Sequence, residues 1–417
     1  MSTEIDVIII GAGAAGLSAA KELMKQGLSY TVVEGSHRIG GRAYSEEIAP
    51  GVWFDLGCSY LHQGEVNPFG PIADELGVVI GREHGDIFAE GKLLFYHNGA
   101  QLSDADQQAC MQYEQQCYDA ISACVKRGED SSIADLINLE SPYAPPFMNG
   151  MAGLTSVDVD QCSVADLSDS GHGSDIPVLN GYGNLVARWA EGIPVSLNTK
   201  VESIDWSGKG VSVETNKGTI KARTVLSTVS NGILAANHIR FNPGLPDWKI
   251  DAINGLPTGT LNKTCLLFDK DIFGPDGRGF YHNWADGGEG SGIEASVMGQ
   301  NLAIVFTGGR HTVWLEKQGQ QAGHDFAVDQ VAAVFGNDIR KSVSKSIITA
   351  WSTEPWTLGS YSCALPGQAH QRKELARSID DRVFFAGEAT INQHQATCHG
   401  AYLSGIRAAQ EIKATLG

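Results

Sequence analysis

Residues 5–10, Ile-Asp-Val-Ile-Ile-Ile, are a short apolar run of the kind shown by a strand buried on both faces. Gly11 to Gly16 interrupt it. A helical pattern then runs from Leu17 to about Gln26, where Gly27 stops it. Tyr30-Thr-Val-Val-Glu34 reads as a second strand. Strand, turn, helix and strand in this order are the sequence form of a βαβ unit. Residues 104–127 predict a helix. Residues 142–153, opening Pro-Tyr-Ala-Pro-Pro, predict a loop. Between 195 and 229 short Val/Ile/Thr-rich runs, with 219–222 and 225–228 read as separate, predict a small antiparallel sheet leading back into a main-sheet strand. Strands are expected at 262–268, 302–306, 346–351 and 382–387, and helices at 324–336 and 399–415. Cys110, Cys117 and Cys124 recur every seven residues, which places them on one helix face as a core stripe.

The chain has 417 residues, enough for two or three structural units. Hydrophobic residues make up 42% and charged residues 19%, an ordinary globular balance that argues against disorder. The net charge of −18 argues against a nucleic-acid phosphate binder and permits a cationic partner. Glycine is in excess, 50 residues with no collagen period, so glycines are expected at turns and close backbone approaches. The N-terminal stretch shows no secretory signal pattern, and no run is long and apolar enough to span a membrane. Eight cysteines are scattered without CxxC or zinc spacing. A reduced, cytoplasmic protein without a metal is the expectation.

The glycine-rich turn has the context that gives such turns meaning. A strand precedes Gly11-x-Gly13-x-x-Gly16, a helix follows, and an acid, Glu34, closes the second strand. Glycines permit close approach to a pyrophosphate, and the helix N-terminus favours anions. Glu34 suits ribose hydroxyls and would repel a 2′-phosphate. A second glycine pair with flanking arginines, Arg38-Ile-Gly40-Gly41-Arg42, supplies another tight turn and a cation for the pyrophosphate.

Residues 32–42, Val-Val-Glu-Gly-Ser-His-Arg-Ile-Gly-Gly-Arg, resemble the flavin-containing amine oxidases. The resemblance continues through Phe54 to His62, Asn67-Pro68, Val178 to Leu185 and Val201 to Ile204. It closes with Phe385-Ala-Gly-Glu-Ala-Thr390 and Ala396-Thr-Cys-His-Gly-Ala. Segment 90–175 carries little of it. The resemblance implies an α/β, two-domain FAD-dependent amine oxidase fold. A Rossmann-like FAD domain (1–75, 178–242 and 352–417) would join a mixed-sheet substrate domain with helices (76–177 and 243–351).

The implied cofactor residues are Gly11, Gly13, Ala15, Gly16, Glu34, Gly40, Gly41, Arg42, Val201, Trp351, Gly387, Glu388, Ala396 and Thr397. Glu388 would hold the ribitol hydroxyls, Val201 would meet the adenine and Thr397 the flavin pyrimidine end. Ser360 stands where some relatives carry a flavin-linked cysteine, with Cys363 three residues on, so FAD is expected to be non-covalent.

Lys263, in Thr260-Leu-Asn-Lys, is similar to the family's active-site lysine, held through a water to flavin N5. Trp356 is the expected wall of an aromatic cage, His394 stands near the other wall, and His62 resembles a histidine near the substrate. The implied reaction is hydride loss from an amine α-carbon to flavin N5. Imine hydrolysis to an aldehyde follows, and oxygen is reduced to hydrogen peroxide. The partners are a small amine, spermidine or spermine first, and O2, with no nucleic acid and no membrane; monomer and homodimer both stay open. Two alternatives also stay open. One is an oxidase of an amino acid or other primary amine, with Arg278 or Arg310 facing a carboxylate. The other is a flavin dehydrogenase or desaturase that does not use O2.

Overall fold

The computed structural model describes residues 5–82, 93–171 and 173–417. Parts of the expected domain spans, residues 1–4, 83–92 and 172, lie outside the described residues.

Ile5–Ile10 is central to the first sheet because both of its faces are apolar. Val7 and Ile9 enter one core layer with Leu17, Leu23, Ala408 and Ile412. Ile8 and Ile10 enter the other with Ile204, Val225 and Phe385. Among the described residues this sheet has eight strands. Their order is Arg240–Asn242, Val201–Asp205, Val211–Thr215, Gly218–Ser227, Ile5–Ile10, Tyr30–Val33 and Val195–Ser196. Val383–Phe385 lies parallel to the end of Gly218–Ser227. The runs at 219–222 and 225–228, read above as separate, are therefore one strand. Its start pairs antiparallel with Val211–Thr215 and its end pairs parallel with Ile5–Ile10.

The first helix, Ala14–Lys25, starts three residues before its apolar periodicity does. Its opening residues, Ala14, Ala15 and Gly16, are too small to show a face. It packs on the closing helix, Cys398–Leu416, where Ser18 Oγ donates to the Tyr402 carbonyl at 2.7 Å.

The second sheet runs Val343–Ile348, Leu261–Phe268, Leu302–Gly308, Gly290–Ala295, Gly279–Trp284, Leu93–His97 and Ala100–Gln101. One face carries Leu266, Tyr281, Ile293 and Val305, which bury against Ala327 and Val331 of the helix Gln320–Phe335. Alternation sends Lys263, Phe306, Glu294 and His282 to the opposite face.

Residues 142–153 are not a loop: Ala144–Thr155 is a helix with Pro in its first turn. Proline is tolerated there because first-turn N–H groups have no partner inside the helix. This helix lies so close to the second sheet that a Cβ on Gly308 would stand 2.0 Å from the Ala152 carbonyl oxygen. The cysteine stripe is core as expected: Cys110, Cys117 and Cys124 are buried along Asp104–Lys126.

Candidate active site

A cavity of about 2180 Å³ runs between the two sheets. One end is built on the first turn. Gly11 has φ +104, and a Cβ there would meet Thr228 Oγ1 at 2.5 Å. Gly16 sits behind the turn, where a Cβ would stand 2.0 Å from the Gly11 carbonyl oxygen, so only glycine lets the helix close up. Glu34 is clamped at the end of its strand: its Oε2 accepts the Ala12 N–H and its Oε1 the Ser36 N–H, both at 2.8 Å. The Gly40 N–H donates to the Ala12 carbonyl at 2.8 Å, which lays the Arg38–Arg42 loop over the turn. Gly11, Gly13, Ala15, Glu34, Gly40 and Gly41 all face the cavity, as does Val201 at the head of its strand.

The middle is held by charge. Arg42 Nη1 donates to Glu388 Oε1 at 2.9 Å and to the Ser360 carbonyl at 2.7 Å. Glu388 also accepts the Ser362 hydroxyl at 2.7 Å. Burial pushes the Glu388 carboxyl upward, but the Arg42 and Arg372 guanidiniums and Ser362 outweigh it and hold it below the ordinary range. Arg372 is fully buried and makes a paired contact with Asp166, with Nη2 to Oδ2 at 2.7 Å. Gly387 starts the Glu388 turn. Thr397 caps the closing helix, its Oγ1 accepting the Gly400 N–H at 3.0 Å.

The far end surrounds Lys263, placed by its strand beside the segment 55–59. Its Nζ donates to the Gly57 carbonyl at 2.5 Å, to Ser59 Oγ at 2.6 Å and to the Asp55 carbonyl at 3.2 Å. Burial pulls the lysine below its ordinary range, with the Asp55 carboxylate pulling the other way. Asp55 itself is pushed up to about 6, by burial first, although Ser45, Lys263 and the Tyr182 N–H all favour its charged form. Trp351 Nε1 donates to the Leu56 carbonyl at 3.2 Å, and its own N–H donates to Asn262 Oδ1 at 3.2 Å, so it buttresses the lysine's strand. Tyr60 OH donates to Glu294 at 2.6 Å across the cavity wall. Burial raises the Glu294 carboxyl. His62 Nδ1 pairs with Asp175 at 2.8 Å, also on the cavity wall.

Two expected residues lie away from Lys263, although Trp356 lines the cavity. The Trp356 ring packs on Gly35, where a Cβ would meet its Cζ3 at 2.3 Å, and the residue is 37% exposed. That puts Trp356 at the Glu34 end rather than beside Lys263; the turn from Trp351 to Gly359 carries it there. His394 turns away to face His399, with ring centroids 4.7 Å apart, while Gln395, Ala396 and Thr397 face the cavity. His394 and Ala396 have left-handed backbone, φ 67 and 61, which breaks the alternation that an extended segment would give.

In the sequence Asp166, Arg372, Glu294 and His282 carry no motif, and Asp55 lies within the Phe54 to His62 stretch without a role of its own. Asp166 pairs with Arg372 across 206 positions and Glu294 with Tyr60 across 234. The Tyr361 hydroxyl donates to the Gly153 carbonyl at 2.7 Å on the cavity wall.

These parts make the fold and cavity of a dinucleotide-dependent oxidoreductase. The sequence profile described as flavin containing amine oxidoreductase matches residues 118–413, and that of the NAD(P)-binding Rossmann-like domain matches 9–76. The chain belongs to the flavin-containing amine oxidoreductases: it is an amine-acting oxidoreductase with FAD as its cofactor. It is 31% identical to Lysine-specific histone demethylase 1 homolog 1 of Oryza sativa subsp. japonica, over 97% of this chain and 52% of that protein. It is 28% identical to Polyamine oxidase 2 of Arabidopsis thaliana, over 98% of this chain and 88% of that one. A solved structure of a putrescine oxidase variant with a redesigned cofactor site superposes with a TM-score of 0.80 at 18% identity, covering 98% of each chain.

Proposed function

We propose that this chain oxidises polyamines, spermidine and spermine first, and passes the electrons to O2. The observation that carries the reading is Glu294, a buried carboxylate bonded to Tyr60 on the sheet face that also bears Lys263. A carboxylate within a large, mostly apolar cavity suits a substrate with a second cationic nitrogen. FAD held there would supply a two-electron acceptor for the hydride of the amine α-carbon; the imine would hydrolyse to an aldehyde, and O2 would take the electrons to give hydrogen peroxide.

We assign the turn residues Gly11, Gly13, Ala15 and Gly16 to the pyrophosphate end of FAD, with Gly40, Gly41 and Arg42 beside them. Glu34 takes the ribose, Val201 the adenine and Glu388 the ribitol, while Trp351, Gly387, Ala396 and Thr397 line the flavin end. The FAD domain is then 1–75, 178–242 and 352–417, and the substrate domain 76–177 and 243–351. Lys263 holds a proton or a lone pair at Nζ, fixed by Gly57 and Ser59, and His62 orders the amine's approach with Asp175.

FAD binds non-covalently in this reading. Ser360 Oγ is engaged with the Gly259 carbonyl at 3.1 Å and the Leu261 N–H at 2.8 Å, and Cys363 Sγ points at Cys162 at 3.5 Å. Eight free cysteines support a reducing, cytoplasmic setting. Among the described residues no helix is long and apolar enough to cross a membrane.

An amino-acid substrate is the second reading, because Arg278 lines the same cavity. Arg310 does not serve it: Asp160 holds Arg310 at 2.7 and 2.9 Å on the surface. Anaerobic mixing decides between the readings. Spermidine or spermine should bleach the flavin, with peroxide appearing once air is admitted, and acid precipitation should release the yellow colour. Bleaching by amino acids or monoamines alone would overturn the polyamine reading, and colour kept in the pellet the non-covalent one.

A further inference from the structure

One row of the second sheet crosses the cavity floor. Lys263 pairs with Phe306, Phe306 with Gly292, and Gly292 with His282 on four successive strands. Directly paired residues share a face, and all four line the cavity. Three strand spacings separate Lys263 from His282, about 14 Å between backbones. Gly292 leaves the floor open between them: a Cβ there would stand 2.5 Å from Phe280 Cζ. Phe280 instead lies across that gap, its ring 6.1 Å from that of Phe306. The result is an aromatic track with an amine at one end and an imidazole at the other.

The imidazole is held unusually. His282 is stacked on Phe95, with centroids 5.3 Å apart and planes 11° apart, and Phe280 stands edge-on to it at 5.2 Å. Burial pulls it down to about 4, so it is neutral at physiological pH. A neutral imidazole carries one donor and one acceptor nitrogen. Among the described residues its Nδ1 is buried with no partner, and buried ring nitrogens are ordinarily bonded. A histidine that served only to fill the core would be replaced here by a third phenylalanine at no cost in polar burial.

We propose that His282 is a specificity-determining residue, which accepts a hydrogen bond from a second N–H of an extended amine whose reacting carbon lies at the Lys263 end. This rests on the polyamine reading above and deepens it. The alkyl segment lies on Phe306 and Phe280, whose faces also favour a charged nitrogen in passing. Short amines cannot reach His282 from the reacting position, so the contact selects for length.

The test is kcat/KM for the wild-type holoenzyme, His282→Phe and His282→Gln over monoamines, diamines and polyamines of increasing length. FAD content and melting temperature confirm folding. His282→Phe should lower the ratio of kcat/KM for spermine to that for a short monoamine about tenfold, through KM; that is one hydrogen bond of about 1.4 kcal/mol. His282→Gln keeps an acceptor and should recover most of the ratio. Equal effects at every length, or equal ratios in Phe and Gln variants, would overturn the inference while leaving the polyamine reading intact. Wild-type enzyme that turns over no polyamine would overturn both.

Discussion

The Asp55 carboxyl accepts the Ser45 hydroxyl and the Tyr182 N–H, and its charge acts on Lys263. Held up at about 6 in the fold and about 3.9 in an unfolded chain, it binds its proton more tightly when folded. The sign follows. Its stabilisation is full below about pH 4 and is lost as pH rises through about 6, by up to about 3 kcal/mol. Asp55→Asn cannot lose it. Urea unfolding at pH 4, 5, 6 and 7 should show the variant gaining on the wild type as pH rises. A difference that is flat with pH would refute this account of Asp55.

The residues legible in the sequence were carried by motifs, whatever the reach of their contacts: Glu34 meets Ala12 and Ser36, while Arg42 meets Glu388 across 346 positions. Glu294 finds Tyr60 across 234 positions, and Arg372 finds Asp166 across 206, so neither pair leaves a spacing to read. Trp356 and His394 point away from Lys263 for a related reason. Their motifs fixed the neighbourhood, but a turn and two left-handed residues fixed the direction of the side chains.

At the scale of elements, the first and closing helices decide whether the Gly11–Gly16 turn keeps its shape. They touch at Gly405, where a Cβ would stand 2.1 Å from the Ala15 carbonyl oxygen and from Ser18 Oγ. Neither the backbone oxygen nor the capped hydroxyl can withdraw without moving the helix start. Gly405→Val should therefore cost about 3 kcal/mol or more and lower the FAD retained after gel filtration. Gly208→Ala, where a Cβ meets nothing within 4 Å, is the control and should hold FAD normally. Full FAD content in Gly405→Val would refute the coupling. The pattern of strands and helices in this half was readable because its central strand is apolar on both faces. The helix Ala144–Thr155 was not, because prolines that open a helix look in sequence like those that end one.

Across the whole molecule, a buried ionic chain ties distant segments together. Asp166, Arg372, Ser362, Glu388 and Arg42 follow one another from the segment after the proline-led helix to the loop over the first turn. Removing one member leaves another charge buried and unpaired. Arg372→Ala should cost about 3–5 kcal/mol in urea unfolding and weaken FAD binding through Glu388. A loss below about 1 kcal/mol would show that water reaches Asp166 and that the chain is not closed. The order of the motifs could be read in the sequence; this chain could not, since its end links join residues 206 and 346 positions apart.

The packing of the first helix against the closing helix has a consequence for biosynthesis. In synthesis the glycine turn, Glu34 and the Arg42 loop emerge ahead of Glu388, which lies 346 positions beyond Arg42. The Thr397 cap and the helix that steadies the turn follow later still. Until they emerge the nascent chain carries half a cradle, so capture of the cofactor waits on the second half.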